Sequence, residues 1–336
     1  MKSALKRALP LNLAPGLLVA TTVGMAAGFL SNSYGAPVML FALLLGMAFN
    51  FLAEEGRCVE GIQAASTQVL QIGVALLGAR ITFTQIAELG LIPVATVAGA
   101  IVLTMVFGIG VARVMGLPRQ FGILTGGSVA ICGASAALAI STALPKYEGS
   151  ERDTIFTVVS VVTLSSVAMI VYPLIAAAIG LDHIQAGVFL GATIHDVAQV
   201  VGAGYSVSAQ TGDVATVVKL ARVALLVPVI LVLLAWFRRR GGGDPSVGKL
   251  PIPAFLIAFP LLVGVNGAHL IPEPVRVVLV DTSRWCLIIA IAALGMKTSL
   301  KALAAVGHRA LTVIVAETIF LALLVLGVIF FSAKFD

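Results

Sequence analysis

The residues of this chain that could do chemistry at membrane depth lie in two polar, glycine-rich stretches within apolar segments. The first stretch contributes Gly126, Gly127, Ser128, Cys132, Gly133 and Ser135, and the second contributes His195, Asp196 and Gln199. Helix-weakening and ionisable residues are costly in a bilayer and persist mainly where they face a cavity or a ligand. The two stretches therefore predict a pathway by which a solute crosses the membrane.

The first stretch is predicted to bind a substrate. Its glycines weaken the helix, and a broken helix directs free N–H groups into the membrane. Such an N-terminus attracts an anion through its N–H groups and through the helix dipole. The alternative is close packing of helices through small residues, to which Ser128 and Cys132, four positions apart, are also suited.

The second stretch is predicted to couple transport to an ion. His195 and Gln199 are four residues apart and would share one face of a helix, with Asp196 turned from them by about 100°. A central Asp needs a partner or water, and His titrates near neutrality, so either side chain suits H⁺ relay or Na⁺ coordination. The alternative is that these polar groups are only structural.

Two cations in the next apolar segment, Lys219 and Arg222, are predicted to contact the substrate. They are three residues apart and hence on one face, and two intramembrane cations need counter-charges. Asp196 could supply one and an anionic substrate the other. The alternative is a structural salt bridge, with Lys219 reaching toward the membrane surface.

Three more ionisable residues lie in the last two apolar segments. Asp281 and Arg284 are three apart and are expected to pair with each other, with a contact to the substrate as the alternative. Glu317 has no partner nearby in the sequence, and its role is left open.

The composition is that of a membrane protein. Of 336 residues, 60% are hydrophobic and 11% are charged, against about 25% charged in soluble domains. This excludes a water-soluble globule. The net charge of +6 comes mostly from short loops between apolar runs, so it is interpreted as a topology signal for the lipid bilayer and not as nucleic-acid binding. No hydrolase, zinc, phosphate-loop or haem motif is present, so no enzyme activity, cofactor or metal site is predicted.

The apolar runs predict an all-α polytopic protein with about 11 transmembrane helices. The spans are placed at 12–30, 37–53, 61–79, 90–114, 121–144, 154–179, 184–206, 213–236, 251–271, 275–296 and 309–332. The distribution of Lys and Arg puts the N-terminus in the cytoplasm and the C-terminus outside the cell.

An internal repeat is predicted from residues 74–90 and 291–307, which share five of 17 positions without a gap. The copies end spans three and ten, and this odd offset would place them upside down relative to each other. Inverted repeats are typical of secondary transporters. The prediction is one transporter domain over 1–336, with repeat-like halves at 12–114 and 213–332, core spans at 121–206 and at least one broken helix.

The sequence resembles the YeiH-type family, inner-membrane proteins for which sulfate export is the proposed activity. The resemblance rests on LLGARITFTQI (76–86), GGSVAICGASAALA (126–139), KYEGSERD (146–153), GATIHDVAQVVGAG (191–204) and VVKLARVALLVPVIL (217–231). The first central motif departs from the family pattern at Ser128 and Val129. The family is similar to transporters with inverted repeats and crossed, broken helices, so the resemblance implies a carrier, and by analogy a homodimer.

Three functional hypotheses follow from the residues and the resemblance. The first is a secondary carrier of a small anion, sulfate or an organic sulfonate, coupled to H⁺ or Na⁺. The second is a cation/proton antiporter in which Asp196 carries the ion and Lys219 is its charge partner. The third is a membrane subunit that transports nothing, in which the polar groups only lock helices together.

Overall fold

The computed structural model describes residues 12–34, 37–81, 92–239, 254–297 and 308–332. In these ranges the chain is helical apart from turns and short connections, with no β-strand. The helices of the N-terminal part are α1 (Ala14–Tyr34), α2 (Val38–Ala48), α3 (Phe51–Glu54), α4 (Val59–Ala64), a π-helical turn (Ala65–Val69) and α5 (Leu70–Leu77). The middle contains α6 (Ile92–Val114), α7 (Arg119–Ala130), α8 (Ala134–Ala143), α9 (Ser150–Ala178), α10 (His183–Thr193) and α11 (Val197–Val207). The remainder forms α12 (Ala209–Ala224), α13 (Leu226–Arg239), α14 (Ala254–Gly267), α15 (Glu273–Lys297) and α16 (His308–Ser332).

Six helical segments of the described chain are long and apolar enough to cross a membrane. They are Ala14–Tyr34, Ala95–Val114, Ser150–Ala178, Ala209–Phe237, Glu273–Lys297 and Ala310–Ser332. The helices α2, α8, α11 and α14 are shorter but also apolar. The predicted all-α class is confirmed, whereas the number of eleven crossings and the orientation of the termini stay predictions.

The predicted helix break in the first glycine-rich stretch is present. Helix α7 ends at Ala130 and α8 begins at Ala134, on opposite sides of Gly133 with φ 61° and ψ −122°. Side chains rarely adopt this left-handed backbone, so glycine is required at this turn. The N–H of Gly133 donates to the carbonyl of Ser128 at 2.8 Å, which closes the turn.

A second break interrupts the span predicted at 184–206. Helix α10 ends at Thr193, Ile194 is extended with ψ 137°, and α11 begins at Val197. The carboxylate of Asp196 accepts a hydrogen bond from the N–H of Ala198 at 2.8 Å and so caps the start of α11. No glycine or proline lies within this break, in contrast to the first one.

The chain forms two compact units. Unit 1 consists of 1–88, 201–209 and 253–299, and unit 2 of 89–200, 210–252 and 300–336. The predicted single domain with repeat-like halves and a core stays a prediction. The proposed repeat falls partly outside the described residues, at 82–90 and 298–307.

Unit 1 is held together by close helix crossings at small residues. A Cβ on Gly46 of α2 would lie 3.0 Å from the Cα of Gly295 on α15, so these backbones touch. Side chains of α15 also contact α5, where the hydroxyl of Ser283 donates to the carbonyl of Gly73 at 2.6 Å. The expected pairing of Asp281 with Arg284 is wrong, because the two form no ion pair in the described structure.

Candidate functional site

The two helix breaks lie against each other within unit 2. A Cβ on Gly133 would be 3.5 Å from the Cβ of His195 and 3.6 Å from its carbonyl oxygen. The turn between α7 and α8 therefore contacts the segment between α10 and α11. The two stretches that the sequence singled out meet at one point of the fold.

Lys219 of α12 lies at this crossing and is fully buried. Its ammonium group donates to the carbonyl oxygens of Ile131 at 2.8 Å, Ile194 at 3.0 Å and His195 at 2.5 Å. A lysine ammonium has three donors, so the backbone uses all of them.

Arg222 lies one turn further along α12 and is also buried. Nε donates to Ala130 O at 2.9 Å, Nη2 to Val129 O at 2.8 Å, and Nη1 to the carbonyls of Gly191 and Ile194, both at 3.1 Å. Four of the five guanidinium N–H groups are thus directed at the main chain.

The two cations bind the backbone carbonyls that the helix breaks leave without intrahelical partners. The last carbonyls of a helix have no intrahelical partner, and the C-terminal end carries partial negative charge. The acceptors of Lys219 and Arg222 are carbonyls at or just beyond the ends of α7 and α10. Neither cation forms an ion pair with Asp196 among the described residues, so the salt-bridge alternative is wrong.

The N-terminal ends of α8 and α11, the helices that follow the two breaks, differ in their capping. Asp196 is half-buried and caps α11. Helix α8 has no side-chain cap, because Gly133 stands at its N-cap position. Ser135 in its first turn is exposed, and its hydroxyl donates to the carbonyl and sulfur of Cys132 at 3.1 and 2.8 Å. The start of α8 is therefore uncapped and accessible.

The other predicted substrate residues of α7 are buried in helix packing. A Cβ on Gly126 would lie 2.9 Å from the Cα of Met105 on α6, and one on Gly127 would collide with Ile140 of α8. The hydroxyl of Ser128 donates to the carbonyl of Leu124. These placements favour the packing alternative for Gly126, Gly127 and Ser128.

His195 and Gln199 do not share a helical face, contrary to the prediction, because the helix is interrupted at 194–196. Nε2 of His195 lies 3.1 Å from the hydroxyl of Thr318 on α16. That hydroxyl also donates to the carbonyl of Ile314 at 2.8 Å, which favours the tautomer with the hydrogen on Nε2. Nδ1 of His195 is buried without a hydrogen-bond partner in the described structure.

Gln199 and the backbone of Asp196 bind α9 instead. The amide of Gln199 donates to Ser166 at 2.8 Å, and the N–H of Asp196 donates to Ser165 at 3.1 Å. The three predicted ion-coupling residues thus lie within one stretch but contact two different helices.

Glu317 is the residue whose place the sequence left open. It is fully buried beside Thr318, and Oε1 lies 2.8 Å from the hydroxyl of Thr125. Oε2 has no partner among the described residues. Gly108 makes room for this carboxyl, because a Cβ there would collide with Oε1. The sequence feature that could have indicated its burial is a single carboxylate within an apolar segment, together with glycines on neighbouring spans.

Among the described residues, no three His, Cys, Asp or Glu side chains come together as a metal site would require. The polar groups at the crossing are two cations bound to carbonyls, one half-buried carboxylate and an imidazole, and the imidazole contacts Thr318, the residue after the buried Glu317. Such a set can attract a small anion and exchange protons.

The comparisons with known proteins bear on this site. A family model described as Conserved hypothetical protein 698 matches residues 15–314. UPF0324 membrane protein CT0845 of Chlorobaculum tepidum is 58% identical over 315 residues, which are 93% of this chain and 88% of that protein. UPF0324 membrane protein TauZ of Paracoccus pantotrophus is 52% identical over 314 residues, 93% of each chain. The chain belongs to the UPF0324 family.

Membership in UPF0324 confirms the resemblance to YeiH-type proteins. The match covers both helix breaks as well as Lys219, Arg222 and Asp196. The relatives are described as membrane proteins, in agreement with the six long apolar segments. This UPF0324 chain is therefore a multi-pass membrane protein.

Proposed function

We propose that this UPF0324 protein is a secondary active transporter for a small anion, sulfate or an organic sulfonate, coupled to H⁺ or Na⁺. The observation that carries the proposal is the contact between two broken helices, whose carbonyl ends are bound by Lys219 and Arg222. The proposal includes eleven crossings of the inner membrane, inverted repeat-like halves and a homodimer. It includes no enzyme activity and no cofactor.

The charge at the crossing supports an anion. Two buried cations and one half-buried carboxylate lie in this part of unit 2, so the formal charge of these three side chains is two positive and one negative. The uncapped start of α8 adds the partial positive charge of a helix N-terminus. In this proposal the anion contacts the N–H groups near Gly133 and Ser135, while Lys219 and Arg222 act through their charge and by holding the break open.

Proton coupling is supported by two buried groups with an unused acceptor. Nδ1 of His195 and Oε2 of Glu317 have no partner in the described structure, and Nε2 of His195 lies 3.1 Å from the hydroxyl of Thr318, the residue that follows Glu317 on α16. Ionisable groups inside a membrane protein frequently serve as proton relays. We assign proton carriage to this pair, with the half-buried Asp196 and the buried Gln199 close to His195 in the sequence.

The test is charge movement in proteoliposomes on a supported membrane. Sulfate, ethanesulfonate, Na⁺ and K⁺ are each applied at two pH values. Ser135→Asp places a carboxylate at the start of α8, where it suits the helix dipole but repels an anion. We expect it to abolish anion currents without loss of thermal stability. Thr142→Asp, at the exposed far end of α8, is the matched control and should keep the currents.

The same experiment separates the other hypotheses. Currents with Na⁺ or K⁺ alone, lost in Asp196→Asn, would replace the proposal by a cation/proton antiporter. If the protein binds and moves none of these ions, only the hypothesis of a membrane subunit that transports nothing would remain. Glu317→Gln should retain sulfate exchange at equal pH but lose accumulation driven by a pH gradient; retained accumulation would contradict the proton assignment.

A further inference from the structure

Unit 1 contains a cavity of about 540 Å³ that lies outside every residue proposed above for transport. We propose that it binds a small organic anion, with a sulfonate, sulfate-ester or carboxylate head and a short apolar body. The binding groups are Arg80 and Arg284, which both line the cavity. The inference depends on unit 1 alone and holds whether or not the chain transports the same compound.

Arg284 is the first observation that points to a ligand. It lies midway along α15, is exposed, and forms no hydrogen bond or ion pair with any described residue. Asp281 is three residues earlier on the same helix but does not pair with it. A guanidinium at the middle of a span is costly in lipid, so such a group faces water or a ligand.

Arg276 on the same helix shows the ordinary alternative. Its guanidinium binds Glu273, also three residues away, through two hydrogen bonds of 2.6 and 2.8 Å. Helix α15 therefore uses local pairing near its start but not at Arg284. This contrast makes Arg276 the matched control for Arg284.

The walls of the cavity are the second observation. Tyr205, Ser31 and Ser208 contribute polar side chains beside the two arginines, and the described lining includes no Asp or Glu. Leu77, Val280 and Leu287 contribute an apolar wall. Guanidinium groups and hydroxyls suit an oxyanion, and an apolar wall suits a hydrocarbon body.

The volume of the cavity favours an organic anion over an inorganic one. It lies within the range of about 300–1,000 Å³ that is typical of small-molecule sites. Bare sulfate would leave the apolar wall unfilled. The same head-group chemistry could come from a free anion or from an anionic phospholipid, and the experiment must separate these sources.

The experiment measures binding to the full-length protein in nanodiscs by isothermal titration, without any gradient. In discs of zwitterionic lipid, ethanesulfonate should bind, inorganic sulfate should bind more weakly, and neutral dimethyl sulfone should not bind. Arg284→Gln should weaken ethanesulfonate binding by roughly tenfold to a hundredfold, because a charge-assisted hydrogen bond is lost. Arg276→Gln should leave it unchanged.

A second arm of the experiment repeats the titration in nanodiscs that contain phosphatidylglycerol. Native mass spectrometry then measures how much of this lipid stays bound to the protein. Loss of ethanesulfonate binding there, together with less retained lipid in Arg284→Gln, would identify a lipid head group as the occupant of the same site. Arg284→Lys keeps the positive charge but not the planar guanidinium group, so it should bind ethanesulfonate with intermediate affinity. It also serves as a folding control for the Gln variant. Equal binding of ethanesulfonate and equal retention of lipid in wild type, Arg284→Gln and Arg80→Gln would overturn the inference.

Discussion

Replacement of Lys219 by Met tests whether this buried cation binds the backbone or a substrate. The unbranched apolar chain of Met retains most of the length of the lysine side chain but none of its donors. The carbonyls of Ile131, Ile194 and His195 would then lose the hydrogen bonds that the ammonium donates to them. The surrounding helices leave no exposed surface at this position from which solvent could replace the donors.

The size of the effect follows from the number of acceptors. A buried carbonyl that loses its partner costs about 1–3 kcal/mol, and the Ile194 carbonyl keeps its hydrogen bond from Arg222, so the other two carbonyls give about 2–6 kcal/mol. Part of this is offset, since the variant no longer desolvates an ammonium ion, which costs several kcal/mol. Removal of one partner from a buried ionic contact typically costs about 3–5 kcal/mol, and this is the expected loss in the free energy of unfolding.

Thermal unfolding of the detergent-purified protein measures the loss. At roughly 2 °C per kcal/mol for a chain of this size, the Lys219→Met melting temperature should fall by about 6–10 °C, with or without sulfate present. Lys146→Met is the control, since Lys146 has a side chain that is 86% exposed, and it should melt like the wild type. A Lys219→Met protein that is as stable as the wild type but no longer binds an anion would refute the backbone role and restore the substrate contact.

Three further substitutions test the architecture around the breaks. Gly133→Ala forces a side chain into a backbone of φ 61° and ψ −122°, so it should cost about 1–3 kcal/mol in chemical unfolding. Gly110→Ala, a helical glycine with open space at its Cβ position, should instead be neutral or stabilising by up to about 1 kcal/mol. Asp182→Ala removes a capping box at the start of α10 and should lower stability by about 1 kcal/mol, whereas Asp182→Asn should retain most of it. Gly108→Ala would drive a Cβ into the Glu317 carboxyl, so it should lower the melting temperature more than Gly110→Ala does; equal effects would show that the carboxyl moves freely.

The fold was more predictable than the site, for a physical reason. Long apolar runs and the glycines around Gly133 indicated the helices and the first break, because both depend on local sequence. The break at 194–196 has no glycine or proline, and its carbonyls, which lack partners within a helix, are bound by Lys219 and Arg222 on another helix. Such compensation between distant segments is not visible in local patterns.

The assignment of the two cations shows the same limit. The sequence predicted charged partners for Lys219 and Arg222, since ions in a membrane usually pair with ions. In the structure their partners are helix ends, which carry charge without any charged residue. A cation near a predicted helix break can therefore be a backbone ligand, and this alternative has to be weighed beside an anionic substrate.

The four helix ends at the crossing favour the proposed anion over a cation as the mobile species. The carbonyl ends of α7 and α10 are occupied by Lys219 and Arg222, and the N–H end of α11 is occupied by the carboxylate of Asp196. Carbonyl oxygens at broken helices are the usual ligands for Na⁺, but here the protein's own ammonium and guanidinium groups already bind them. The start of α8 is the end without a side-chain cap, and it carries partial positive charge. A mobile anion would complete this pattern of charges, whereas a mobile Na⁺ would have to displace a buried lysine or arginine to reach the same carbonyls.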